Sequence, residues 1–281
     1  PDNYQWSGGT SSASFTIRWK IDRMSVLAPV LTGDSFEYNG TERSITELFG
    51  NSYNERYMGL ELTYRAINAS PAAGYRARVK LTDTVNYQWE SGQVTEFVWR
   101  ITKAIVAKPS FDASIELDYA GETQDLADQI STFNNLVMKL SSNASQRNAG
   151  SYTTQLSLVD TNNYTWDDGT STAVQVKWVI NKLTISPVWE SEDTYTQDGG
   201  RHSPKIVDFT GLAGTDMFNA ASDVTYTGKS NQTAVGSYVT EATLRASWAS
   251  NYTIDSSEMK KGYRIIPVGD TPDDTDIPIG D

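Results

Sequence analysis

The 281-residue chain has no cysteine and one histidine, His202. The first absence removes disulfide frameworks, thiol nucleophiles and thiolate zinc sites. The second leaves a lone imidazole in "DGGRHSPK", where a catalytic triad would need a nucleophile and an acid beside it. His202 is therefore expected as a solvated loop residue. A surplus of positive charge is also missing: 23 Lys+Arg against 35 Asp+Glu leave a net charge of −12. Contact with a phosphate backbone needs a basic footprint, so neither nucleic acid nor a membrane surface is an expected partner. No apolar run approaches the roughly 18 residues of a spanning helix, and no signal-peptide pattern stands at the start. Acids are plentiful, but Asp83 and Asp160 recur at matched places in "LTDT" and "LVDT", which suits a turn device better than one catalyst. The expectation is a protein that is not an enzyme and carries no cofactor.

What the chain does have is a repeat. Asn3-Tyr4-Gln5-Trp6 returns as Asn86-Tyr87-Gln88-Trp89, as Asn163-Tyr164-Thr165-Trp166 and, more weakly, as Asn251-Tyr252-Thr253-Ile254. Each of the first three is followed by a Gly turn and an alternating apolar run: Phe15, Ile17, Trp19, Ile21; then Phe97, Trp99, Ile101; then Val174, Val176, Trp178, Ile180. Tyr263 and Ile265 follow the fourth. A period of roughly 80 residues with variable loops marks repeated small domains. The expected units are 27–106, 107–186 and a divergent 187–268. Residues 1–26 read as the last two strands of an upstream repeat, truncated or completed by strands from another molecule. Residues 269–281 read as an acidic Pro/Asp tail or linker. Units this small bury modest cores, so the joints between them should add stability.

Within a unit the clearest strand precedes the NYxW element. Tyr75, Ala77, Val79 and Leu81 alternate with Arg76, Arg78 and Lys80; Tyr152, Thr154, Leu156 and Leu158 alternate likewise, as do Tyr238, Thr240, Ala242 and Leu244. Period-two alternation with one wet face predicts half-buried antiparallel strands. The Trp run is the next strand, with "WESGQ", "WDDGT" and "WSGGT" as tight-hairpin chemistry before it. It passes straight into the next unit without a Gly/Ser spacer, and Pro29, Pro109 and Pro187 fall where edge strands would begin. Such joints are stiff; a rod is expected, each unit adding about 30–40 Å. The first halves, including "ITELFG", "LADQISTF" and "KIVDFTGL", are assigned to strand or loop.

A Gly shortly before a strand-opening Tyr resembles the tyrosine corner of immunoglobulin-like sandwiches. With "YNG" or "YAG" at the front, "AGxYxxxxxL" in the middle, "NYxW" and a closing "WxIxK", residues 27 to 268 resemble the Ig-like repeats of large bacterial surface proteins and adhesins, often called YDG or MBG-type repeats. The third unit departs, with "QDG", Ile254 and Tyr263 replacing the motif residues. The resemblance implies an all-β fold of tandem Ig-like antiparallel β-sandwiches and a non-enzymatic, extracellular, cell-surface role as stalk, spacer or filament. An adhesin or carbohydrate-binding array is the alternative. A phage virion fibre or decoration protein is a further one.

Partners on this reading are neighbouring repeats or copies of the chain, with a host glycan or protein for the adhesin. Tyr75, Tyr152 and Tyr238 are expected to be buried with bonded hydroxyls, and Trp19, Trp99 and Trp178 to be core. Trp189 and Trp248 lack counterparts and are the candidates for ligand contact. Asp270, Asp273, Asp274 and Asp276 are weak calcium candidates. Sequons stand at Asn39, Asn68, Asn143, Asn163, Asn231 and Asn251. Lys103 and Lys182 recur near the NYxW asparagine, the pairing of a Lys–Asn crosslink, although Arg23 holds the same place in the first copy.

Overall fold

The computed structural model describes Ser7, residues 16–111 and residues 113–270. Strand accounts for 41% of the chain, and the helical segments among the described residues are single turns, so the fold is all-β. The chain divides into two compact units. One runs to Ile105 and takes in Thr161–Thr165; the other comprises Val106–Asp160 and the chain from Trp166 onward.

A four-stranded sheet lies in each of the three expected repeat spans. In the first, the order is Ser35–Glu37, Glu96–Thr102, Tyr75–Leu81, Met58–Leu62. The alternation in Tyr75–Leu81 places Ala77, Val79 and Leu81 inward and the three basic residues outward. The Trp strand lies antiparallel beside it, Tyr75 opposite Trp99, so the two most regular strands pair as expected. Val26, Ile45, Leu48, Phe49, Met58 and Trp99 belong to the core that forms against the inner face.

Three features differ from the sequence reading. The sheets are mixed rather than antiparallel. Ser35–Glu37 runs parallel to Glu96–Thr102, Ile115–Asp118 to Val174–Asn181, and Thr194–Thr196 to Lys260–Ile266. Most of a repeat lies between each pair, which supplies the long connection that parallel strands need. Second, the layer facing the first sheet is not a second long sheet. It holds the two-residue ladder of Arg43–Ser44 with Arg65–Ala66, the helical turn Thr46–Phe49 and the 3-10 turn Gly50–Ser52. "LADQ" is likewise a 3-10 turn, whereas "IVDFT" is a strand. Leu48 and Phe49 are buried from the helical turn, a small apolar face that four residues are too few to announce by periodicity.

Third, the NYxW segment does not form a tight hairpin with the Trp strand. Tyr87–Trp89 pairs in parallel with Met24–Val26, and Tyr252–Thr253 with Leu183–Thr184. The Gly turn closes on itself instead: Trp166 N–H donates to Thr170 O (2.8 Å) and Gly169 N–H to Trp166 O (2.9 Å).

Candidate functional site

An aromatic pair lies on the two central strands of each of the three four-stranded sheets. Ring centroids lie 5.2 Å apart for Tyr75–Trp99, 5.1 Å for Tyr152–Trp178 and 5.5 Å for Tyr238–Tyr263. Each tyrosine hydroxyl donates to a carbonyl upstream: Asn68 O (2.9 Å), Asn148 O (2.7 Å) and Ala234 O (2.9 Å). The expected bond is therefore present, but the rings are half-buried rather than deeply buried, because each tyrosine lies at or near the start of its strand, toward the end of the sheet. The glycine before Tyr75 has a reason. Gly74 has φ +78°, and a Cβ there would stand 2.6 Å from Val98 Cγ1.

Trp99 and Trp178 are fully buried, their indole N–H groups donating to Thr63 O (2.8 Å) and Asn143 O (3.1 Å). In the divergent third repeat Tyr263 is as buried, and its hydroxyl donates to Lys229 O (2.6 Å). Trp19 is a correction. It has the same sequence pattern, yet it is 79% exposed with Ile17 and Ile21 beside it. No strand of the described residues lies over it, and an inward pattern buries a side chain only when something faces it. Phe15 lies outside the described residues.

Two of these carbonyls, Asn68 O and Asn148 O, sit in turns that the NYxW residues Asn163 and Asn251 engage. In the first compact unit, Asn163 Oδ1 accepts from Ala69 N–H (2.7 Å), its Nδ2 donates to Asn68 Oδ1 (3.0 Å), and its carbonyl accepts from Ala104 N–H (2.9 Å). Lys103 Nζ donates to Thr161 O (2.6 Å). In the second unit, Asn251 Oδ1 accepts from Ala149 N–H (2.8 Å), its Nδ2 donates to Asn148 Oδ1 (3.2 Å), and its carbonyl accepts from Leu183 N–H (3.0 Å). Lys182 Nζ donates to Ala249 O (2.5 Å). Only a primary amide offers a donor and an acceptor side by side, which is what an N–H and an Oδ1 in one turn require. Both asparagines are buried, at 4% and 8% exposure.

The neighbouring tyrosines complete the arrangement. Tyr164 packs edge-on against Tyr38 (5.4 Å) and Tyr252 against Tyr119 (5.2 Å). In the second unit Asp216 accepts from both Tyr119 and Tyr252 hydroxyls (2.8 and 2.7 Å) and pairs with Arg147 (3.1 Å). Burial, then the Asp216 carboxylate, pushes the Tyr119 phenol above its usual range; burial also raises that of Tyr252. Asp216 has no counterpart in the other repeats and gave no signal in the sequence. Tyr38 and Tyr119 did recur, in "YNG" and "YAG", and so did Asn-Ala at 68–69 and 148–149.

These bonds revise two readings. Asn163 and Asn251 are buried with their Nδ2 groups bonded inside the turn, which leaves no room there for a glycan. Asn39, Asn68, Asn143 and Asn231 remain exposed. The lysines and asparagines are held by separate partners, not by each other.

A second cluster surrounds Trp189. Its indole N–H donates to Glu258 O (2.9 Å) while the ring stays half-buried at a cleft with Tyr195, Arg201, His202 and Lys205. His202 stacks on Tyr195 (5.0 Å) and its Nε2 lies 2.8 Å from Asp198 Oδ1. Lys205 lies over the Tyr226 ring (4.4 Å), and burial lowers its pKa. Trp248 is otherwise engaged, stacked between Phe209 and Tyr252. Among the described residues no acidic or histidine group is placed to hold a metal, and no helix is long and apolar enough to cross a membrane. Asp270 is described and exposed; Asp273, Asp274 and Asp276 lie outside the described residues. Comparison with family models, with curated proteins and with solved structures returns no match for this chain.

Proposed function

We propose that the chain is a non-catalytic structural segment: immunoglobulin-like units in series, serving as stalk or filament of an extracellular, cell-surface protein. The carrying observation is the repeated asparagine clasp. Two buried amides, Asn163 and Asn251, each bond an Asn-Ala turn through the same atoms. A device spent twice on holding one segment against another serves spacing and stiffness rather than turnover. The immunoglobulin-like reading is supported by the antiparallel trio of Met58–Leu62, Tyr75–Leu81 and Glu96–Thr102. These adjoin in the order C, F, G, with a Tyr opening the middle strand and bonding backbone upstream. Small-angle X-ray scattering tests the proposal. A compact globule of this length has a radius of gyration of about 19 Å, whereas three units of about 30–40 Å in series give roughly 30 Å. A value near the compact limit would sink the rod.

The adhesin reading has one observation in its favour, the Trp189 cleft with its aromatic, cationic and acidic side chains. Binding on a glycan array that Trp189→Ala abolishes without lowering the melting temperature would establish it; a blank array would remove it.

A further inference from the structure

Each clasp has two halves. The receiving half consists of a tyrosine before the Gly turn (Tyr38, Tyr119), an Asn-Ala turn (68–69, 148–149) and a lysine just past the closing strand (Lys103, Lys182). The inserting half is the Asn-Tyr of NYxW. Asn86-Tyr87 is an inserting half too, since Asn86 O accepts from Met24 N–H (2.8 Å) as Asn163 O does from Ala104. Among the described residues no Asn-Ala turn meets it. Asn86 is exposed, and its Nδ2 turns back to Asp83 Oδ2 (2.6 Å). The chain leading into Met24 carries an exposed closing-strand sequence. Ile17, Trp19 and Ile21 occupy the places of Phe97, Trp99 and Ile101 but are 82%, 79% and 77% exposed, against 0% for Trp99 and 1% for Ile101. Arg23 holds the lysine position.

We infer that the Ile17–Ile21 edge together with Asn86 is a docking surface for a β-unit of this same repeat type, one that brings its own Asn-Ala turn and lacks a closing strand. The first repeat shows what covers such an edge: Tyr75 and Phe36 lie against Trp99, at 5.2 and 6.1 Å. A second copy of this chain does not fit. Its first two receiving halves are filled, and its third repeat has none. Tyr38 N–H and Tyr119 N–H bond the carbonyls of Thr102 and Asn181; the equivalent bond, to Ile266 O, comes from Gln197. The tyrosine-corner carbonyl belongs to Ala234 where the others use Asn68 and Asn148. Pro267, two residues past Ile265, replaces the lysine. The clasp is thus directional, and the third repeat does not extend it. This rests on the equivalence of the repeats and not on the stalk reading.

The test joins a second copy of residues 27–94, the first repeat without its closing strand, ahead of residue 15 in the full chain. Residues 16–23 then stand where 96–103 follow the same segment in the native first repeat. Hydrogen exchange by mass spectrometry should slow at 16–22 by ~100-fold or more relative to the unfused chain, as for a strand entering a folded unit. Asn86→Ala, made in the original first repeat, should lower the melting temperature of the fusion by more than it lowers that of the unfused chain, where the side chain bonds only within its own turn, to Asp83. Exchange at 16–22 as fast in the fusion as without it overturns the proposal. So does an equal effect of Asn86→Ala in both proteins. Dimers of the unfused chain in which 16–22 is protected would make a second copy the occupant and overturn it equally.

Discussion

Two residues past Tyr75, Tyr152 and Tyr238, the three four-stranded sheets solve one position differently. Ala77 is fully buried and makes no polar demand; Thr154 is buried, with its hydroxyl 3.1 Å from Ser141 Oγ; Thr240 is fully buried, and its Oγ1 has no partner. A buried hydroxyl without a hydrogen bond costs more than the apolar group that could replace it. Thr240→Val should therefore stabilise the protein by about 1 kcal/mol, and Thr154→Val should destabilise it by a similar amount. Paired thermal melts decide: a loss in both variants would mean that the Thr240 hydroxyl is bonded after all. Asp168 illustrates charge at the same scale. Hydrogen bonds from Lys108, then from Thr170, pull its carboxyl from 3.8 to about 2. Its folded pKa is depressed, so what it contributes is complete above the ordinary carboxylate range and is lost as pH falls through about 2. Lys108→Met should move the Asp168 titration back toward 3.8, followed by carboxyl NMR; an unmoved midpoint would assign the shift to the turn alone.

At the scale of elements, the closing strand carries the largest single stake. Trp99→Ala removes a fully buried ring that touches Tyr75 and Phe36 and caps Thr63 O. A loss of about 3–5 kcal/mol is expected, read as a drop in denaturant midpoint. Trp178→Phe should keep most of the packing and lose about 1 kcal/mol with the bond to Asn143 O. A larger penalty for Trp178→Phe than for Trp99→Ala would invert this ranking. The long strands were legible in the sequence because Tyr75–Leu81 alternates without a break, and a two-residue period has one structural meaning. The facing layer was not. Arg43–Ser44 and Arg65–Ala66 are two residues each, too short to show alternation, and the Thr46–Phe49 turn is too short to show a helical period. The NYxW hairpin was misread because a Gly turn signals reversal but not the partner, which is the short strand after the preceding closing strand. Trp19 carries the lesson furthest: its pattern equals that of Trp99, and only the presence of covering strands separates core from surface.

At the largest scale, the asparagine clasp is expected to join segments distant in sequence into one unfolding unit. Asn251→Ala leaves Ala149 N–H and Asn148 Oδ1 without their partner, a cost of about 1–3 kcal/mol. Calorimetry of the variant should resolve two transitions where the second compact unit of the parent melts as one. Asn251→Asp would set a buried carboxylate oxygen against Asn148 Oδ1, so it should be no milder than the alanine variant. An unchanged profile in Asn251→Ala would show that Asp216 and its tyrosines hold this joint by themselves. The recurring Asn and Lys were visible in the sequence. Their joint role was not, because the Asn-Ala turns that receive the amides lie 95 and 103 residues away. The parallel pairing inside each sheet has a mechanical consequence. In the first repeat the opening strand Ser35–Glu37 and the closing strand Glu96–Thr102 point the same way, tied by Arg100 N–H to Asp34 O and Tyr38 N–H to Thr102 O. Tension applied at the two ends of that repeat pulls these strands lengthwise past each other. Their hydrogen bonds then share the load and must rupture together instead of peeling apart one by one, so the repeat resists stretching at the place where its chain enters and leaves.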